Sequence, residues 1–175
     1  MTDAKHPIED LSHTNFMAMK EAQMAAEDRA DRFLLEADTC SLTGMLNRRG
    51  LRRRTSDRDW GWYVVADLND FKKAQDKPGR GHAYGDGILK EFADYLLTNT
   101  RHRDLRARNL MAARTGGDEF TIWTETRAGA RRIKQAIREW ASEDNEVSAS
   151  AGIGQTTEAA DAACYLDKQR HKDNQ

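Results

Sequence analysis

The sequence predicts an α+β fold, a mixed sheet with helices packed on it. Short apolar runs of β-forming residues alternate with longer segments whose apolar residues recur every three or four positions. Two of the runs are chain neighbours joined around Gly116-Gly117, which a strict strand–helix–strand alternation would not give. Apolar residues make up 38% of the 175, but 24 are alanine, and Leu, Ile, Val and Phe together number 27. Those counts suit a small core clothed in long, polar, Ala-rich helices. The 28 basic and 29 acidic side chains leave a net charge of -1. That balance excludes a generically basic nucleic-acid binder, and it argues against disorder, which pairs low hydrophobicity with high net charge.

Each element follows from its pattern. Residues 10–38 form a helix that carries Met19, Ala22, Ala26, Ala30, Phe33 and Ala37 on one face. The stripe is narrow and buries little alone, so the helix packs either on its own domain or on a second copy of itself. Residues 1–39 are therefore read as a helix or linker, a possible dimerisation stalk, and residues 40–175 as the domain proper. A second helix precedes the first strand. Trp62-Tyr63-Val64-Val65-Ala66 is a buried strand that ends in Asp67-Leu68-Asn69-Asp70, after which Phe71-Lys72-Lys73 is helical. Residues 85–98 are a helix with Ile88, Phe92, Tyr95 and Leu96 on one side. Residues 110–114 and 120–123 are strands. Residues 127–140 are a helix with Ile133, Ile137 and Trp140 inward. Residues 147–153 are a strand of small residues, and 158–169 a last helix.

Several classes of function fall away. Cys40 and Cys164 are too far apart for a disulfide framework or a zinc knuckle. No run approaches the roughly 20 apolar residues that span a bilayer, and the opening Met-Thr-Asp-Ala-Lys-His-Pro has no signal-peptide character. A soluble, cytoplasmic protein without a membrane partner is expected. There is no His-Glu-x-x-His pair and no Gly-x-Ser-x-Gly elbow. The arginines at 48, 49, 52–54 and 58, and at 101, 103, 106 and 108, lack interleaved aromatics and read as solvated faces, so nucleic acid is not an expected partner.

Gly116-Gly117-Asp118-Glu119-Phe120 makes a tight turn that carries two carboxylates. By itself it reads as a hairpin with solvated acids. Asp67 changes that, because it ends a buried strand, where ligands often sit. A carboxylate at a strand end and another on a hairpin can meet across adjacent strands. Mg²⁺ takes one or two carboxylates with waters and substrate phosphates. Gly79 to Gly87 holds four glycines and lets a ligand approach the following helix, without the Gly-Lys-Ser/Thr of a Walker loop. Lys168 and Lys172, four apart on one helix face, are able to grip phosphates or to sit as solvated helix-end cations.

Together these residues resemble the GGDEF domain of diguanylate cyclases. The matching segments are Leu42-Thr43-Gly44-Met45-Leu46-Asn47-Arg48-Arg49, Asp67-Leu68-Asn69-Asp70-Phe71-Lys72, Gly81-His82-Ala83-Tyr84-Gly85-Asp86, Arg114-Thr115-Gly116-Gly117-Asp118-Glu119-Phe120, Ser150-Ala151-Gly152, and Ala160-Asp161-Ala162-Ala163-Cys164-Tyr165 followed by Lys168. They keep the family's order over residues 40–172. The resemblance implies a palm-like nucleotidyl-cyclase fold, a central, mainly antiparallel sheet flanked by helices. It implies that two GTP-loaded domains face each other as a homodimer and make cyclic di-GMP and pyrophosphate. It places Mg²⁺ (or Mn²⁺) on Asp67, the Leu68 carbonyl, Asp118 and Glu119. Asp118 is also the implied proton acceptor, with Glu119 supporting the metal. Asp70 and Phe71 offer backbone N–H groups to the phosphates, Gln75, His82 and Asp86 face the nucleoside, and Lys168 and Lys172 hold the outer phosphates. Arg101 and Asp104 match the inhibitory product-binding motif.

The chain departs from the pattern at several positions. Cys40 stands where an Asp is usual, Asn69 where a second Asp is common, Gln75 for an Asn that reads guanine, and Lys172 for Arg, which loses a bidentate fork. Additional residues lie between Asp76 and Gly81 and between Asp104 and Arg114. A catalytically silent or base-altered domain, acting as a nucleotide-binding sensor, is the alternative these departures raise.

Overall fold

A computed structural model describes residues 7–101, 110–142 and 147–173. The chain divides into two compact units, Met1–Ala37 and Asp38–Gln175. The first is the helix α1 (Pro7–Asp38), whose last residue falls in the second unit. Its side chains from 15 to 37 are exposed, including Phe16, Met17, Met19, Met24 and Phe33. Large apolar groups thus stand beyond the narrow stripe seen in the sequence.

The second unit runs β1 (Leu46–Asn47), α2 (Arg48–Thr55), β2 (Trp62–Leu68), α3 (Phe71–Gln75), α4 (His82–Arg101), β3 (Leu110–Arg114), β4 (Glu119–Thr124), α5 (Arg127–Ser142), β5 (Ala149–Gly154) and α6 (Thr157–Asp173). The sheet order is β1-β3-β4-β2-β5. β1 pairs parallel to β3, and the other pairings are antiparallel. This is the α+β fold the sequence pattern predicts, with the mainly antiparallel sheet that the family resemblance implies.

Strand alternation sorts the sheet into two faces. Val64, Ala66 and Leu68 of β2, with Phe120 and Ile122 of β4, meet α3, α4 and α5. Phe92 of α4 is the hub there: its ring stands edge-on to Phe120 at 4.9 Å and tilted against Trp140 at 4.6 Å. Ile133, Ile137 and Trp140 are buried, as their spacing requires. On the other face, Leu51 of α2 packs on Ala113 and Trp123, and Ala160 and Cys164 of α6 pack on Val65.

Two elements differ from expectation. β1 has no sequence signature, because two residues are too few to display a period. Asn47 follows as the cap of α2, accepting a hydrogen bond from the Gly50 N–H at 2.9 Å. α4 begins at His82 rather than at residue 85, so Gly85 and Gly87 lie inside a helix despite their low propensity. Gly85 is there for closeness: a Cβ would stand 2.7 Å from Gln75 Nε2 and 3.1 Å from the Phe71 ring. The glycine run therefore brings α4 against α3 and makes its turn through Gly79 and Gly81, both at positive φ.

No helix among the described residues is long and apolar enough to cross a membrane.

Candidate active site

The site forms where β2 ends beside the β3–β4 hairpin. Asp67 and Glu119 are register partners on adjacent antiparallel strands, so their side chains share a face of the sheet. One residue on, the Leu68 N–H donates to the Asp118 carbonyl at 3.2 Å. The Thr115 and Gly116 N–H groups both donate to the Glu119 carbonyl, at 2.9 and 3.2 Å. Arg114 reaches round the turn, Nε and Nη2 donating to the Gly117 carbonyl at 3.0 and 2.6 Å.

The glycines serve the turn differently from the sequence reading. Neither Gly116 nor Gly117 has a positive φ. At Gly116 a Cβ would stand 2.5 Å from Glu119 Oε2, so a side chain there would push the Glu119 carboxylate aside. At Gly117 nothing lies within 4 Å of that position, which leaves an open approach to the backbone beside Asp118.

Asn69 and Asp70 continue the chain from β2. Asn69 is buried and tied to β5: its N–H donates to the Ser148 carbonyl at 2.8 Å, its amide to Ser148 Oγ at 3.0 Å, and it accepts from Ser150 Oγ at 3.0 Å. An amide has both a donor and an acceptor for that arrangement, which a carboxylate lacks. Asp70 turns the chain at φ 55° into α3 and pairs with Lys73 at 2.6 Å, and that ion pair holds its carboxyl below the usual range.

Lys168 arrives from α6. The helix lies close on β5 because Gly152 and Gly154 leave room: a Cβ on Gly152 would meet Ala160 O and Cys164 N, both at 2.1 Å. Asp167 pins the same helix, accepting from the Ala151 N–H at 3.0 Å and from Lys134 and Arg138 at 3.3 and 3.2 Å. Burial alone would raise the Asp167 pKa, but these donors outweigh it and hold the carboxyl below the ordinary range. The next residue, Lys168, places its ammonium on the Asp67 carboxylate. Burial opposes that ammonium, yet Asp67 and then Asp118 outweigh it and raise its pKa. The Asp118 carboxyl is pushed up, first by burial and then by the Asp67 charge.

Leu68, Asp70, Phe71, Asp118, Lys168 and Lys172 line one cleft of about 300 Å³. Asp67 and Glu119 line a second, of about 590 Å³, into which Lys168 and Lys172 also face. Gln75 and His82 meet each other, Nε2 to Nδ1 at 3.1 Å. Asp86 is exposed one turn further along α4. These three line neither cleft. Arg101 ends α4, its side chain outside the described residues, and Asp104 lies outside them altogether.

Among the described residues no three His, Cys, Asp or Glu side chains converge as a metal cage. The donors at hand are instead two mutually repelling carboxylates, Asp67 and Asp118, and a strand-end carbonyl. That oxygen-only set fits a hard cation that also takes oxygens from water and substrate.

The sequence reading missed Arg48, placed there among solvated arginines. Its Nε donates to the Thr115 carbonyl at 2.9 Å and its Nη2 lies 3.6 Å from Glu119 Oε2, so α2 braces the hairpin. Only the β1–β3 pairing brings it there, and a run of arginines carries no sign of that.

A family model described as "Diguanylate cyclase, GGDEF domain" matches residues 37–174. Over 105 residues the chain is 37% identical to the diguanylate cyclase DgcS of Shewanella oneidensis, covering 57% of this chain and 33% of that one. It thus spans about a third of that relative's length. Among solved structures it is similar to the diguanylate cyclase SiaD of Pseudomonas aeruginosa, crystallised with its activator SiaC, with a TM-score of 0.63 and 25% identity over 93% of this chain and 70% of that one. The coiled coil and GGDEF domain of DgcB from Caulobacter crescentus, in complex with c-di-GMP, shares the fold with a TM-score of 0.67 at 20% identity, over 90% of this chain and 94% of that one.

Proposed function

We propose that this chain, which belongs to the GGDEF domain family of diguanylate cyclases, joins two GTP into cyclic di-GMP and two pyrophosphates as a metal-dependent homodimer, in the cytoplasm. The observation that carries the reading is Asp118: a half-buried carboxyl with a raised pKa, beside Asp67, in a cleft that also receives Lys168 and Lys172. A carboxyl beside a second acid and the Lys168 ammonium suits a site that takes a proton next to phosphates.

The residues divide the work. Lys168 and Lys172 bind the β- and γ-phosphates, and the Asp70 and Phe71 N–H groups hold the same tail. Gln75, His82 and Asp86 orient the guanine, Asp86 as the acceptor for its N–H groups. Asp118 takes the proton of the 3′-hydroxyl as that oxygen attacks the α-phosphate of the GTP in the facing domain, and pyrophosphate leaves. Asp67, the Leu68 carbonyl, Asp118 and Glu119 would hold Mg²⁺ or Mn²⁺, which when bound would neutralise phosphate charge and acidify the attacking hydroxyl. Lys168 then exchanges Asp67 for phosphate. Residues 1–39 pair two copies, raising the local concentration of facing sites. Arg101 and Asp104 match the motif of a product-binding inhibitory site, where the residues inserted before Arg114 weaken the hold on cyclic di-GMP.

A second reading, a silent domain that senses a nucleotide, is favoured by Gln75, which is engaged with His82. Incubation with Mg²⁺ and each nucleoside triphosphate, with products identified by mass, separates the two. Cyclic di-GMP from GTP supports the cyclase; GTP binding without product supports the sensor.

A further inference from the structure

We propose that Cys40 is a positioning residue, acting through Arg114 on the turn that carries Asp118. The inference rests on the cyclase reading for its consequence but on geometry for its basis.

Cys40 opens a short loop closed by two backbone hydrogen bonds, Cys40 N–H to Met45 O at 2.8 Å and Gly44 N–H to Cys40 O at 2.9 Å. The loop aims the thiol at β3, where Arg114 Nη1 lies 3.7 Å from Sγ. The other two guanidinium nitrogens grip the Gly117 carbonyl. One planar group therefore spans from Cys40 to the peptide bond that leads into Asp118. If Arg114 loses its partner on one side, its grip on the other loosens, and with it the direction of the Asp118 carboxyl.

The strength of the Cys40 side depends on the proton. A neutral thiol is a weak acceptor, whereas a thiolate makes a charge-assisted bond to a guanidinium. Burial raises the Cys40 pKa, but hydrogen bonds from Thr43 and Arg114 outweigh it and bring it down to about 7. Arg114 is the charged group facing the thiol from β3, while Asp38, two residues earlier, is turned to Arg49 and Arg53 of α2. The lowered pKa means that the anchor is strong above neutrality and weak below it. Cys164 has no such part: it is buried, and its pKa is pushed up to about 12.

Two measurements test this on the full chain. In the first, iodoacetamide alkylation of Cys40 is followed against pH by peptide mass. A midpoint near neutrality is expected in the wild type, moving up toward that of a free thiol, about 8.5, in Arg114→Gln. An unmoved midpoint would overturn the coupling. The second compares Cys40→Ala with Cys40→Asp, whose carboxylate stays charged. GTP turnover is expected to fall severalfold in Cys40→Ala and to be restored in Cys40→Asp, without the wild type's loss of rate below neutrality. Wild-type turnover with an unaltered pH profile in Cys40→Ala would refute the proposal. Should the wild type make no cyclic dinucleotide, the cyclase reading fails separately. Amide exchange over residues 115–119 then decides: faster exchange in Cys40→Ala than in Cys40→Asp supports the proposal, and equal exchange sinks it.

Discussion

Replacing Gly152 with Ala should damage both the fold and the chemistry, and by different amounts. The added Cβ would stand 2.1 Å from the Ala160 carbonyl oxygen, 2.1 Å from the Cys164 nitrogen and 2.6 Å from the Ala163 carbonyl carbon. All three belong to the backbone of α6, so no rotamer change relieves the contact. The helix has to move outward by more than an ångström to reach ordinary contact distance. Overpacking in a well-filled core typically costs about 1–3 kcal/mol, and a clash with helix backbone puts this variant at the upper end. Moving α6 also strains the Asp167 bond to the Ala151 N–H on the same strand. With a urea slope of about 1–3 kcal/mol/M for a small domain, the unfolding midpoint should drop by about 1–3 M. Turnover should fall further than the unfolded fraction accounts for, because Lys168 rides on the displaced helix away from Asp67. The assay pairs a urea titration with GTP turnover measured without denaturant, where the variant is still folded. Gly117→Ala serves as the control for stability, since its Cβ meets nothing within 4 Å. If Gly152→Ala keeps the wild-type midpoint and rate, the close seat of α6 on β5 does not position Lys168, and the account of the site is wrong.

Asp118→Asn should abolish product formation while the chain stays folded, and near wild-type turnover would remove Asp118 from the chemistry. The same variant carries a pH signature. A carboxyl whose folded pKa is raised adds stability below its unfolded pKa and loses it as pH rises through the folded value. The Asp118→Asn variant should therefore unfold at higher urea than wild type at pH 7, with the gap closing below about pH 4, the unfolded carboxyl range; a gap that widens in acid would contradict the sign. Gln75→Asn should tighten GTP binding severalfold, since one better-set hydrogen bond is worth about 1 kcal/mol, and equal ATP and GTP affinity in the wild type would refute the guanine assignment. Specific activity should fall on dilution, and fall more steeply once residues 1–37 are removed, a cut that leaves the buried Asp38 and its Arg49 and Arg53 partners in place; a flat dilution curve would count against action as a dimer.

What the sequence disclosed, and what it hid, divides along range. Asp67 was legible as a site residue because an apolar run rich in β-formers leads into it, and Asp118 and Glu119 because a glycine pair sets them on a turn. Their meeting across β2 and β4 follows from strand neighbourhood. The ion pair of Lys168 with Asp67 joins residues 101 positions apart and exists only because α6 crosses β5, which no local pattern encodes. Arg48 was hidden for the same reason: it resembles its neighbours until β1 pairs with β3. The glycine pair was noticed for the wrong cause, since composition reveals where side chains are missing and not whether dihedral freedom or space demanded it. Asn69 was legible as a departure but not as a function. Its two serine partners sit at and just before β5, about eighty residues on.

The seat of α6 on the two glycines of β5 also sets an order in time. α6 is the last of the described elements, so while a ribosome is still making it, β5 lacks the helix that covers it and the Asp67 carboxylate lacks its ammonium partner. At about 5–20 residues per second, that interval lasts on the order of a second or more. A chain stopped between Glu119 and Thr157 would carry both acids and the glycine turn but neither Lys168 nor Lys172. Translation thus delivers the acids of the site before Lys168 and Lys172, and a truncated product keeps Lys72 and Lys73 of the cleft but lacks the ammonium that sits on Asp67.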